Sequence, residues 1–206
     1  MARPVDISDE TIMETAQTLF LEKGIAATEM KDIAAKAGIG RSSLYRHFET
    51  KEAIAFGTAR KILTELTKVL EDRERNTETG AAEVRIILER YTQKMIENPS
   101  WIRFLDEFDQ FFSDVYPAVK PASDYIVFNN KLSNGALDVA LERGLCDGSL
   151  RYPDTTGFTA RLLLNTILAM GQRVIPRIDH YMQEQGYALE YVTRLPELLV
   201  DGISTK

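Results

Sequence analysis

Ala34 and Gly38 stand four positions apart in the run TEMKDIAAKAGIGRSSLYRHFETK, residues 28–51, and that spacing restricts what the stretch can fold into. Two short helices cross closely only where one carries a small side chain, and a turn that reverses the chain sharply needs a residue tolerant of positive φ. Ala34 meets the first need and Gly38 the second. Ile33, Ala37, Ile39, Leu44 and Phe48 place apolar side chains on both sides of the turn, so the two helices share one small core. Arg41, Ser42, Ser43, Tyr45, Arg46 and His47 are left facing outward. Guanidinium forks suit guanine edges and phosphates, while hydroxyls and an imidazole hydrogen-bond phosphate oxygens. The stretch predicts a helix-turn-helix that reads DNA.

Charge is distributed as this reading requires. The net charge of −6 is acidic for a DNA binder, yet from Lys23 to Lys61 eight Lys or Arg stand against four Asp or Glu, a local +4 that leaves −10 for the remainder. A basic face against phosphates and an acidic body held away from them account for both numbers. With 206 residues, 44% of them hydrophobic, the chain is long enough for one small and one larger domain.

The run from Ile12 to Glu52 carries Ala16, Leu19-Phe20, Lys23-Gly24, Thr28, Asp32-Ile33-Ala34, Ala37-Gly38, Leu44-Tyr45, Phe48 and Lys51-Glu52. In these positions it resembles the tetracycline-repressor (TetR/AcrR) family, and beyond them the resemblance fades to general architecture. The resemblance implies an all-α fold. A three-helix DNA-binding domain with a helix-turn-helix is expected over residues 1–60, followed by a larger helical ligand-binding and dimerisation domain over 61–206. It also implies a homodimeric repressor, released from a double-stranded operator by a small-molecule effector. Thr28 and Lys51 stand where the family contacts phosphates, and Arg41, Ser42, Tyr45, Arg46 and His47 where it lies along the groove. Ser43, grouped with them as a DNA-binding residue, occupies a position where many relatives carry glycine or another small residue.

A coarse pass gives nine helices and no strand. The first runs from an N-cap at Ser8 to Lys23, stopped by Gly24, and a fourth opens after Thr50 and links the domains. The charged segment EDRERNTETG reads as a solvated helix end and loop. Helices follow at 82–98 and from Pro99, at 156–175, and near 189–203, where Pro196 bends the last.

Eight of the chain's 18 aromatic residues fall between Trp101 and Phe128. Trp101, Phe104, Leu105, Phe108, Phe111 and Phe112 share an arc of roughly 120° at about 100° per residue. Such a stripe is ordinary for a bundle helix; the density of rings is what suggests a cavity. Tyr91, Met95, Trp101, Phe104, Phe108, Phe112, Tyr125 and Phe128 are the candidate walls of a pocket for a hydrophobic or planar molecule, with Asn129 and Asn165 as polar contacts. The helix at 156–175 is apolar on nearly all sides, and with the last helix it suits a four-helix dimer interface.

Other classes find little support. Gly38-Ile39-Gly40-Arg41-Ser42-Ser43 imitates a dinucleotide fingerprint, but it lacks the third glycine and the preceding strand. The two histidines, His47 and His180, have no catalytic or metal-binding partners in the pattern, and Cys146 alone forms neither a disulfide nor a cysteine zinc site. No cofactor, metal or catalytic site is expected. The opening MARPVDISDE has no apolar signal core and no run is long enough to span a membrane, so a cytoplasmic protein is expected. Two rival readings stay open: an effector-free dimer that only binds DNA, and an enzyme that retains a vestigial DNA-binding domain.

Overall fold

A computed structural model of the chain describes residues 7–73, 76–114, 116–132 and 134–205. Most of the opening stretch and residues 74 and 75 of the charged segment lie outside the described residues. Among those described, the chain is helical apart from one isolated bridge between Leu150 and Ser204. It forms two compact units, residues 1–63 with 103–132 and residues 64–102 with 133–206. The first unit therefore gathers a later segment onto the N-terminal helices.

In the first unit α1 (Asp9–Ala27) is capped by Ser8, whose hydroxyl accepts from the Thr11 N–H at 3.2 Å, and buries Ile12, Ala16, Leu19 and Phe20. Gly24 interrupts it at φ 84°, ψ 154°, a conformation essentially confined to glycine, so the regular helix stops where the sequence predicts. The short helices α2 (Met30–Lys36) and α3 (Arg41–His47) follow, then α4 (Lys51–Thr67), whose first turn is capped by the Thr50 hydroxyl accepting from Ala53 N–H at 3.1 Å. The later helices α6 (Pro99–Phe111) and α7 (Lys120–Lys131) contribute an aromatic core. There Phe56 of α4 meets Phe108, Phe112, Tyr116 and Tyr125 at ring separations of 5.2, 4.7, 5.5 and 5.5 Å.

The second unit is built on α5 (Gly80–Glu97), α8 (Ala136–Cys146) and α9 (Thr156–Val174), which pack on one another. Glycine lets α5 and α8 touch backbone to backbone: a Cβ on Gly80 would lie 2.2 Å from the Gly144 nitrogen. Beside this contact the buried Glu83 carboxylate receives two hydrogen bonds from Arg73, at 3.0 and 3.1 Å, and one from Arg143 at 3.0 Å. Arg143 also donates to the Thr77 carbonyl at 2.7 Å, so one acid fastens α8 and the segment before α5 to α5 itself. Burial alone would raise the Glu83 pKa; the two guanidinium groups outweigh it and hold the carboxyl below its ordinary value.

The chain ends in α10 (Ile178–Gln185), α11 (Leu189–Thr193) and α12 (Leu195–Ile203). The described residues hold twelve α-helices where the sequence predicts nine. The single helix expected near 189–203 is two, because Pro196 sits in the first turn of a new helix instead of bending an old one. Another piece, α10, begins after a 3-10 turn over Ile175–Arg177 that contains Pro176. Cys146, expected in a loop, closes α8 and is exposed. No helix among the described residues is long and apolar enough to cross a membrane.

Candidate nucleic-acid interface

The reader is built by the turn between α2 and α3. Gly38 adopts φ 68°, and around it Ala37 N–H donates to Ile33 O at 2.9 Å and Ile39 N–H to Ala34 O at 3.0 Å, satisfying the carbonyls that end α2. Ala34 is buried at the crossing, beside Ile33, and Leu44 anchors α3 from below. The start of α2 is closed by Asp32, whose carboxylate accepts from Glu29 N–H at 3.1 Å and is tied to α1 by Lys23.

Leu44 fixes which side of α3 faces solvent. Arg41, Ser42, Tyr45 and Arg46 are exposed, Tyr45 by 51%, and no acid lies on this helix. Ser43 is half-buried and accepts a hydrogen bond from Arg46 Nη2 at 3.2 Å. His47, also half-buried, closes the helix with Nδ1 2.6 Å from an Asp9 carboxylate oxygen. Two guanidinium groups, a phenol and a serine hydroxyl thus share one accessible helix face. That face offers donors to phosphates and base edges, without a nucleophile and base arranged for catalysis.

Thr28 and Lys51 stand apart from this face, and the phosphate contacts expected of them do not follow from their surroundings. Thr28 is fully buried and its hydroxyl donates to Gly24 O at 2.8 Å. Lys51 Nζ donates to the carbonyls of Ile25, Ala26 and Thr28 at 2.8, 2.7 and 3.0 Å, which occupies all three ammonium protons. The same group lies 5.8 Å from the centre of the Phe111 ring. Both residues cap the broken end of α1.

The residues expected to line a ligand chamber divide between the units. Phe104, Phe108, Phe112, Tyr125, Phe128 and Asn129 belong to the first, and Tyr91, Met95, Trp101 and Asn165 to the second. In the first unit the rings fill space against one another: Phe108 lies 4.9 Å from Phe112 and 5.4 Å from Tyr125, and Phe104 and Phe108 are completely buried. Burial pushes the Tyr125 phenol up to about 12, against an opposing hydrogen bond with Asn129. Phe128 and Asn129 are half-buried. In the second unit Tyr91 and Met95 are buried on α5, Met95 filling the space left by Gly171, whereas Trp101 is half-buried beneath the Lys94 ammonium and Asn165 is exposed. Burial raises the Tyr91 phenol as well.

Sequence reasoning missed the hub of the aromatic core. Phe56 stands alone among Ala53, Ala55, Gly57 and Ala59, and a single large ring in a run of small residues is the signal that marks it. It also missed Glu107, whose carboxylate accepts from Ile25 N–H at 2.9 Å; no local pattern foretells a contact spanning 82 positions.

Known proteins with the same arrangement are regulators. The sequence model of the bacterial regulatory proteins of the tetR family matches residues 12–57, from α1 into α4. The HTH-type transcriptional repressor KstR2 of Mycolicibacterium smegmatis is 31% identical over 164 residues, covering 74% of this chain and 71% of that one. Among solved structures, a bacterial regulatory protein in the tetR family from Rhodococcus RHA1 shares the fold with a TM-score of 0.69 at 14% identity, over 96% of this chain and 97% of that chain. SmeT, the repressor of the Stenotrophomonas maltophilia multidrug efflux pump SmeDEF, does so with a TM-score of 0.66 at 19% identity, over 98% and 92%. The helix-turn-helix, the helical second unit and a relative matched along most of both chains agree, and the chain belongs to the tetR family of bacterial regulatory proteins.

Proposed function

We propose that the protein is a homodimeric transcriptional repressor that binds a two-fold operator in double-stranded DNA through Arg41, Ser42, Tyr45 and Arg46 and is released by a hydrophobic small molecule. The observation that carries this reading is the acid-free, exposed face of α3, held rigid by Leu44 and the Gly38 turn. Ser43 and His47 support it from the same helix. Family membership and the relative named as a repressor favour repression over activation and a regulator over an enzyme. A cytoplasmic location follows from that role.

One recognition helix reads too few base pairs to be selective. Two, set about 34–36 Å apart, read successive major grooves of a two-fold site. In this reading residues 1–60 form the DNA-binding domain, and the remaining 61–206 pair the subunits and take the effector. A ligand that prefers a conformer with a different helix spacing lowers DNA affinity, and a discrimination of about 3–5 kcal/mol between conformers empties most of the operator.

Genomic footprinting of the purified protein tests the reading, with Arg46→Ala as the matched control. A protected two-fold site is expected, occupied by the natural protein and lost in the variant while its circular dichroism is unchanged. Absence of any protected site at low salt would overturn it.

A further inference from the structure

Between the α3–α4 turn and the first turn of α7 lies an open cleft of about 350 Å³ within the first unit. Phe48, Ala53, Phe56, Pro121 and Tyr125 form its apolar lining. Phe56 and Tyr125, 5.5 Å apart ring to ring, are fixed by the aromatic core behind them, so this wall is set before anything enters. The rim carries Arg60 and Lys120 together with Glu49 and Asp124, and Lys120 Nζ already lies 2.7 Å from Asp124. Two cations and two acids cancel, so the rim selects neither an anion nor a cation. The volume falls at the lower end of small-molecule sites, about 300–1,000 Å³; an apolar floor here meets a strongly polar rim that opens to solvent.

We infer that this cleft binds a neutral, compact, mostly apolar molecule with a flat ring system. The wall against α3 gives it consequence. Phe48 caps the recognition helix through its N–H to Leu44 O at 2.9 Å, and His47 is the helix's last residue. An occupant touches the end of the reading element directly. Tyr91, Met95, Trp101 and Asn165 have no part in this cleft, which lies wholly in the first unit. That occupancy alters duplex binding rests on the function proposed above; the binding itself does not.

The test titrates the purified full chain with N-phenyl-1-naphthylamine, a neutral amine bearing a naphthyl and a phenyl group, whose fluorescence rises on leaving water. Saturable binding of one probe per chain is expected. Ala53→Leu fills the cleft from α4 with a good helix former, and Pro121→Trp fills it from α7. Each is expected to weaken the probe at least about tenfold at an unchanged melting temperature, whereas Lys120→Ala on the rim changes it less than about twofold. Wild-type fluorescence that never saturates overturns the assignment. So does wild-type affinity in a filled variant that has kept its fold; if one variant unfolds, the other decides. Probe binding by a protein that ignores duplex DNA would overturn the repressor reading and leave the cleft standing.

Discussion

The Glu107 carboxylate of α6 accepts the Ile25 N–H at 2.9 Å, immediately after the break that Gly24 places in α1. A helix from the second half of the sequence thereby completes the hydrogen bonding of the first. A Cβ added at Gly24 would lie 3.3 Å from the same carboxylate oxygen and would carry a backbone at φ 84° that side chains rarely adopt. Gly24→Ala should therefore destabilise the fold by about 1–3 kcal/mol. Glu107→Ala should cost about 1–2 kcal/mol, through an amide left without its charged acceptor. Thermal or urea unfolding measures both, and a Glu107→Ala variant as stable as the parent would show that the contact contributes nothing.

Lys51 and Arg46 are both basic residues expected from the sequence to contact DNA, yet they should fail in different ways. Arg46 is exposed on α3, so its removal should leave stability within about 0.5 kcal/mol. The dependence of log affinity on log salt should flatten by about one unit if its partner is a phosphate. Lys51 spends its protons on three carbonyls. Lys51→Met should lower the melting temperature and leave the salt slope unchanged. A slope that falls in Lys51→Met would return this residue to the DNA interface.

Legibility in the sequence follows the range of the interaction. Ser8, Gly24, Gly38 and Thr50 act within a few residues of themselves, and each stands in the structure where capping and turn chemistry put it. The outward face of α3 was legible for the same reason, because Leu44 alone fixes its orientation. The packing of Thr28 and Lys51 was not: sequence does not distinguish a hydroxyl and an ammonium bonded to carbonyls from exposed ones. The aromatic stripe of α6 gave the density of rings but not what packs against them. Periodicity shows that Phe104, Phe108 and Phe112 face one way, whereas the Phe56 ring packed on Phe108 and Phe112 comes from α4.

Glu83 should give the second unit a measurable response to acid. Its folded pKa lies below the ordinary 4.5, so the unfolded chain binds the proton more readily than the native one. The stabilisation is complete above about pH 4.5 and is lost as pH falls through the lowered folded value. Glu83→Gln should cost about 2–4 kcal/mol near neutrality, because Arg73 and Arg143 are left facing a neutral amide in a half-buried setting. The acid limb of its melting temperature against pH should be shallower than the parent's. An unchanged acid limb would mean that other carboxylates carry the whole response.

The strongest surface signal for pairing of subunits lies in the second unit. Phe158 and Leu162 on α9 are 56% and 54% exposed, one helical turn apart, and Leu198 on α12, which packs against α9, is 69% exposed. Along the same side of α9 follow the exposed Asn165 and Ala169. These apolar residues lie outward on the two helices, 156–175 and 189–203, that the sequence suggests for a dimer interface. In a two-fold dimer each substitution is present twice, so its effect on association is doubled. Burying one such side chain contributes about 1.5–3 kcal/mol, and a charge in its place reverses the sign. Leu162→Glu combined with Leu198→Glu should therefore convert dimer to monomer at micromolar concentration in light scattering, with helicity retained. The monomer should also lose affinity for a full two-fold site far more than for a half-site, since Arg46 and Tyr45 remain in place. A double variant that stays dimeric would place the interface on another face.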